Sequence, residues 1–251
     1  MPSLTTDGYA LSGEKIARIE QGNLALDRLR GMRRHSVAIA ERSGLATWAL
    51  DSYLQLVLHR IVSLAEGMAS EWNSKRVVNS AILTRSLIES VSSWWHLLDH
   101  AEKLLDKEDL RGAHMLTVKA TFGVRYGEAG DAELPTATNV LTLVQCLEKA
   151  FPKVMHFYDA ISEMVHPNYD GVFLFGDVSK DREVVLDEYH AVKEDVATGK
   201  ILFGLLMFQI FEASCSIYRD RIRPKVVGLE AKFGPNPSGW PGRPDPELGG
   251  Q

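Results

Sequence analysis

The sequence predicts an all-α protein, a multi-helix bundle with a short β-hairpin insert near residues 172–186 and a disordered C-terminal tail. Three observations carry this expectation. Apolar residues recur at three- and four-residue spacing over long windows, the period of a helix with one buried face. Strand-like runs are confined to GVFLF and EVVLD, on either side of turn-forming Gly, Asp and Ser residues. The C-terminal segment GPNPSGWPGRPDPELGGQ is too rich in Pro and Gly to bury the apolar surface that ordering requires. At 251 residues and 45% hydrophobic content the chain can bury a large core. One helical domain over 13–233 is expected, between a flexible N-terminus (1–12) and the tail (234–251).

The first helix is expected over 13–42, with Ile16, Ile19, Leu24, Leu26 and Leu29 spread among charges and Ser43-Gly44 closing it. In the second, Leu50, Leu54, Val57, Ile61, Leu64 and Met68 form one stripe. In the third, so do Leu83, Leu87, Val91, Trp94, Leu98, Ala101 and Leu105. A weaker helical stretch over 108–122 leads to a glycine-rich loop, 123–138. Helix returns over 139–151, breaks at Pro152 and resumes through Val154, Phe157, Ile161, Met164 and Val165 until Pro167 ends it. The last long helix runs from about Tyr189 to Arg223, where Pro224 stops or kinks it. Its segment ILFGLLMFQIF is apolar on all sides and marks a buried core helix. At about half the roughly 20 residues a bilayer requires, it predicts no membrane association.

Composition narrows the function classes. The net charge is −5, and the 28 basic residues form no long run, which argues against specific DNA binding. Residues 101–200 carry 18 acidic against 11 basic side chains, an excess that usually marks a solvated surface. Cys146 and Cys215 lie in apolar helical contexts and read as reduced thiols of a cytoplasmic protein. No basic-then-apolar leader pattern opens the chain.

Two clusters could carry chemistry. Arg85, Glu89, Ser92 and His96 share one face of the third helix, and Val78, Ile82, Ile88 and Trp95 around them imply that this face is covered. Arg85 and Glu89 stand at i, i+4, where they can pair, as a buried charge must. In YDAISEMVHPNYDG, Tyr158, Ser162 and His166 are spaced by four on one side of a helix. His166 falls at its C-terminal end, and Asn168 can satisfy exposed backbone groups there. His166 reads either as a cap or as a general acid or base, since imidazole titrates near neutrality.

TRSLIES around Arg85 and Glu89, followed by ISEMVHPNYDG around His166, resembles the Arg-Ser-Leu-x-Glu helix and the Ser-x-x-x-His-Pro-Asn helix end of uncharacterised bacterial all-α proteins. These look like distant relatives of HEPN-type domains and abortive-infection proteins, and the resemblance covers about residues 45–220. It implies a helical fold and carries over Arg85, Glu89, His166 and Asn168 as facing site positions; beside it, the four-residue spacing in the second cluster makes Tyr158 and Ser162, with Asn168, candidate ligand-binding residues. It also implies RNA and a second copy of the chain as candidate partners, in a phage-defence toxin with His166 as general base and Arg85 as phosphate stabiliser. HEPN ribonucleases place four to six residues between an Arg and a following His on one helix, and no Arg stands so before His166. Arg28 and Arg30 stand so relative to His35, at the frequency chance predicts.

Phosphate loop, His-Glu-x-x-His, Cys-x-x-Cys and Gly-x-Ser-x-Gly signatures are missing. Glu163 and His166 form only half of a di-iron pattern, so neither a metal nor a cofactor is expected. Arg219, Arg221, Arg223 and Lys225 could touch phosphate or complement a helix dipole. Three functions follow: an internal polar site of structural or ligand-binding purpose, an RNA-cleaving effector, or an interaction module presenting the Trp240-containing tail.

Overall fold

The structure, a computed structural model, describes residues 2–38, 44–124, 135–166, 172, 176–178, 184–186, 194–236 and 240. Its elements are α1 (Gly13–Met32), α2 (Leu45–Asn73), α3 (Val77–Leu105), α4 (Leu110–Phe122), α5 (Val140–Ala150) and α6 (Val154–Val165). They continue with β1 (Gly176–Val178), β2 (Val184–Leu186), α7 (Glu194–Ile217), a π-helical turn (Tyr218–Ile222) and α8 (Arg223–Phe233). The fold is an all-α helical bundle. β1 and β2 pair antiparallel with Asp177 opposite Val185, and three residues a side are too few for a self-standing hairpin insert.

The chain forms two compact units, and α2, α3, α5 and α7 contribute residues to both. Unit 1 comprises Met1–Met32, His59–Val91 and Glu148–Glu212; unit 2 comprises Arg33–Leu58, Ser92–Leu147 and Ala213–Gln251. In unit 1, Ile19, Leu26 and Leu29 of α1 are buried, as are Ile61, Met68 and Trp72 of α2, Leu87 and Val91 of α3, and Phe208 and Phe211 of α7. The N-terminal arm is tied to α2: Leu4 is buried, Trp72 Nε1 donates to Thr5 O at 2.9 Å, and Tyr9 stacks on Trp72 at 4.0 Å. Unit 2 buries Leu50 and Leu58 of α2, Trp94, Leu98 and Leu105 of α3, Leu110 of α4, Leu147 of α5 and Tyr218 of the π turn. α3 is covered on more than its apolar stripe, since Thr84, Ile88 and Ser92 are buried too.

Two boundaries depart from expectation. α1 ends at Met32, ten residues before the expected stop, and 39–43 lie outside the described residues. The last helix does not stop at Arg223. Pro224 has no N–H to donate four residues back, and its ring would collide with that carbonyl. The backbone instead widens by one residue, Arg223 N–H bonding to Tyr218 O, and runs on to Phe233. The continuous run Thr198–Phe233 is long and apolar enough to cross a membrane, but 61% of its most apolar window is buried within the protein, as in a core helix. Of the tail, residues 234–236 and Trp240 are described. Trp240 is buried, donating Nε1–H to Gly234 O at 2.7 Å and meeting the His114 ring edge-on at 5.4 Å.

Candidate functional site

The first polar cluster belongs to unit 1. Arg85 and Glu89 occupy successive turns of α3 and pair at 3.3 Å, each slightly more than a quarter exposed. Tyr158 of α6, only 2% exposed, inserts its hydroxyl between them. Arg85 donates to Tyr158 Oη from Nε (3.3 Å) and Nη2 (3.2 Å), and Tyr158 donates its proton to Glu89 Oε1 (2.9 Å). The guanidinium also lies 5.3 Å from the Tyr158 ring centroid. Burial disfavours the Arg85 charge, but the phenol and the carboxylate outweigh it and hold its pKa above the ordinary value. Burial raises the Tyr158 pKa; Arg85 opposes this and Glu89 adds to it, so the group stays a neutral phenol at pH 7. One cation, one anion and one bridging hydroxyl satisfy one another.

α6 positions Tyr158. Its first turn is capped by Glu148, which accepts from Lys153 N (3.0 Å) and Met155 N (2.8 Å) and whose pKa these bonds lower. Phe157 stacks on Phe203 of α7 at 4.0 Å. Ser162, half-buried, turns its hydroxyl back to Tyr158 O at 2.7 Å and contributes nothing to the cluster. His166 is the exposed C-cap of α6, in extended backbone geometry with its N–H on Ser162 O. It stands eight residues beyond Tyr158, roughly 12 Å along a helix axis at 1.5 Å per residue. Among the described residues no hydrogen bond or ion pair joins it to Arg85. Asn168 lies outside the described residues. The structure therefore groups Arg85 and Glu89 with Tyr158.

The remaining features belong to unit 2. Each member of the basic run carries an acidic partner: Arg219 with Asp220, Arg221 with Glu102, Arg223 with Asp51, and Lys225 with Asp106 and Glu102. That pairing leaves little uncompensated charge for phosphate. Ser92, read as part of the Arg85 face, is wholly buried with its Oγ lacking a partner among the described residues.

A cavity of about 160 Å³ opens among α3, α4, α5 and the loop joining the last two, lined by Ser93, His96, Leu116, Lys119, Thr138 and Leu143, among others. His96 stacks on His100 at 4.0 Å. Burial first, then the neighbouring His100, Lys119 and Lys103 charges, push its pKa down to about 4 against the opposing Asp99, so the cavity presents a neutral imidazole. On the neighbouring face, Asp99, His100 and Cys146 bring a carboxylate oxygen, an imidazole nitrogen and a thiol sulfur within 4.8 Å of one another. Sequence reasoning missed this group because Cys146 is 47 residues from Asp99, and only the packing of α5 on α3 joins them. No family model, curated protein or solved structure matches the chain.

Proposed function

We propose that this chain acts by binding: Arg85, Tyr158 and Glu89 are an internal lock fixing α6 on α3, and the unit 2 cavity takes a small ligand. The observation carrying the first half is the Tyr158 hydroxyl, which accepts from Arg85 and donates to Glu89. A phosphate-stabilising Arg85 would have to abandon both partners and leave a carboxylate without its cation, at a cost of order 1–3 kcal/mol. Helical bundles take ligands between facing helices, in clefts that are mostly apolar with a few fixed polar groups. Leu97, Leu116 and Leu143 beside Ser93, His96, Lys119 and Thr138 fit that description, and a small carboxylate or phosphate fits Lys119.

The test is induction of the wild type beside His166→Ala, Arg85→Ala and Tyr158→Phe, following growth, total-RNA integrity and the Tm of each purified protein. A lock predicts intact RNA throughout, a lowered Tm for Arg85→Ala and Tyr158→Phe, and an unchanged Tm for His166→Ala. RNA degraded by wild type but spared by a folded His166→Ala would replace the lock with the RNA-cleaving effector.

A further inference from the structure

We propose that Asp99, His100 and Cys146 form a binding site for a borderline-soft divalent cation of the zinc class. Asp99 and His100 are consecutive on α3, and Cys146 reaches them from α5, all within unit 2. Asp99 Oδ2 is the shared vertex, 3.5 Å from His100 Nδ1 and 3.9 Å from Cys146 Sγ. In a tetrahedral zinc site with bonds of about 2.0–2.3 Å, ligand atoms stand roughly 3.3–3.8 Å apart. Two edges of the triangle are already near that length, and no pair of ligand atoms is separated by more than 4.8 Å.

The donor types decide the metal. A thiolate with an imidazole suits Zn²⁺, Co²⁺ or Cu, whereas Mg²⁺ and Ca²⁺ want oxygen ligands throughout. Three protein ligands leave a fourth tetrahedral position for water or an exogenous ligand. The stacked His96 ring holds the His100 ring in place, and without metal Nδ1 donates its proton to the His96 carbonyl at 2.9 Å; binding a metal at Nδ1 gives up that hydrogen bond and moves the ring proton to Nε2. Without metal, Lys103 neutralises Asp99. Its side chain is 63% exposed and free to swing into solvent, so a cation displaces one ammonium. Cys146 binds as the thiolate, so binding releases a proton to solvent and strengthens as pH rises.

The experiment uses the full chain, reduced and stripped with chelator, titrated with Co²⁺ and then with Zn²⁺ in competition. The expected result is one Co²⁺ per chain, with a thiolate-to-cobalt charge-transfer band in the near ultraviolet that Zn²⁺ abolishes. Cys146→Ser should remove that band, and His100→Ala should weaken binding at least a hundredfold. Lys103→Ala, which removes the competing cation at an exposed position, should tighten it several-fold. Cys215→Ser controls for the only other thiol and should keep the band. Absence of the band in wild type, its persistence in Cys146→Ser, or its loss with Cys215→Ser overturns the site. None of these outcomes depends on the unit 1 lock or on the unit 2 cavity binding a ligand.

Discussion

Removing one oxygen from Tyr158 separates the contributions to the unit 1 lock. In Tyr158→Phe the direct Arg85–Glu89 pair at 3.3 Å survives, but each partner loses a hydrogen bond in a half-buried place. The expected loss is about 1–2 kcal/mol, or roughly 2–8 °C in Tm for a chain of this size. Arg85→Ala should cost more, because it strands Glu89 and the phenol together, while Arg85→Met with Glu89→Leu should cost less than the two single changes summed. Equal Tm values for wild type and Tyr158→Phe in differential scanning calorimetry would show that the bridge contributes nothing. The sequence displayed half of this cluster. Arg85 and Glu89 announce themselves by i, i+4 spacing, but their order, cation first, is the weaker one for a lone helix, and the missing strength comes from α6. Tyr158 stood in the second motif without any local sign of which helix it faced. His166 sits where its sequence position places it, at the C-cap of α6.

Elements depend on contacts that sequence windows do not contain. Periodicity located α2, α3 and α6 well because their apolar stripes are long, but it could not show what starts α2. Gly44 offers no capping side chain, and Glu230 of α8 supplies one instead. This buried carboxylate accepts from Gly44 N (2.9 Å), Ala46 N (2.8 Å), Thr47 N (3.0 Å) and Thr47 Oγ1 (2.6 Å). A negative charge there meets four donors and the positive end of the helix dipole. Glu230→Gln keeps the shape but turns one acceptor into a donor among donors. It should cost about 2–4 kcal/mol, read as a lower urea midpoint at unchanged m-value. Close approach of helices is equally silent in sequence. A Cβ on Gly204 of α7 would lie 2.6 Å from Thr84 Cγ2, a methyl fixed by the Thr84 hydroxyl bond to Ser80 O. Helix propensity alone favours Gly204→Ala by roughly 0.5–1 kcal/mol, so destabilisation of that variant isolates the steric term. Adding Thr84→Ser, which deletes the methyl, should restore stability. A stabilised single variant would mean that the two helices separate freely.

At the scale of the whole molecule, acidity should act through a few groups with shifted pKa values more than through the net charge of −5. The sequence conveyed an all-helical class because hydrophobic spacing is a property of every turn. It did not convey the discontinuous make-up of the two units or the burial of Trp240, because both arise from pairings across long separations. His114 shows the consequence. Its ring packs edge-on to Trp240, its Nδ1 is buried without a partner among the described residues, and burial lowers its pKa below the ordinary 6.5 against the opposing pull of Glu230. An unfolded chain binds the His114 proton near pH 6.5 and the folded chain does so only at lower pH, so below 6.5 the unfolded state carries more protons and stability falls with pH. The His114 contribution is complete above pH 6.5 and is lost on acidification. Glu148 and Asp220, whose pKa values are lowered from 4.5 and 3.8, act only further down, each losing its contribution as pH drops below those ordinary values. Thermal melts should therefore show Tm declining first below about pH 6.5 and again below about pH 4.5. His114→Phe should flatten the first decline, with a residual slope from His96, and leave the second intact. Trp240 fluorescence should report the first step directly, since charging the ring beside it favours release of the indole, and an emission spectrum constant from pH 7 to 5 would detach Trp240 from this titration.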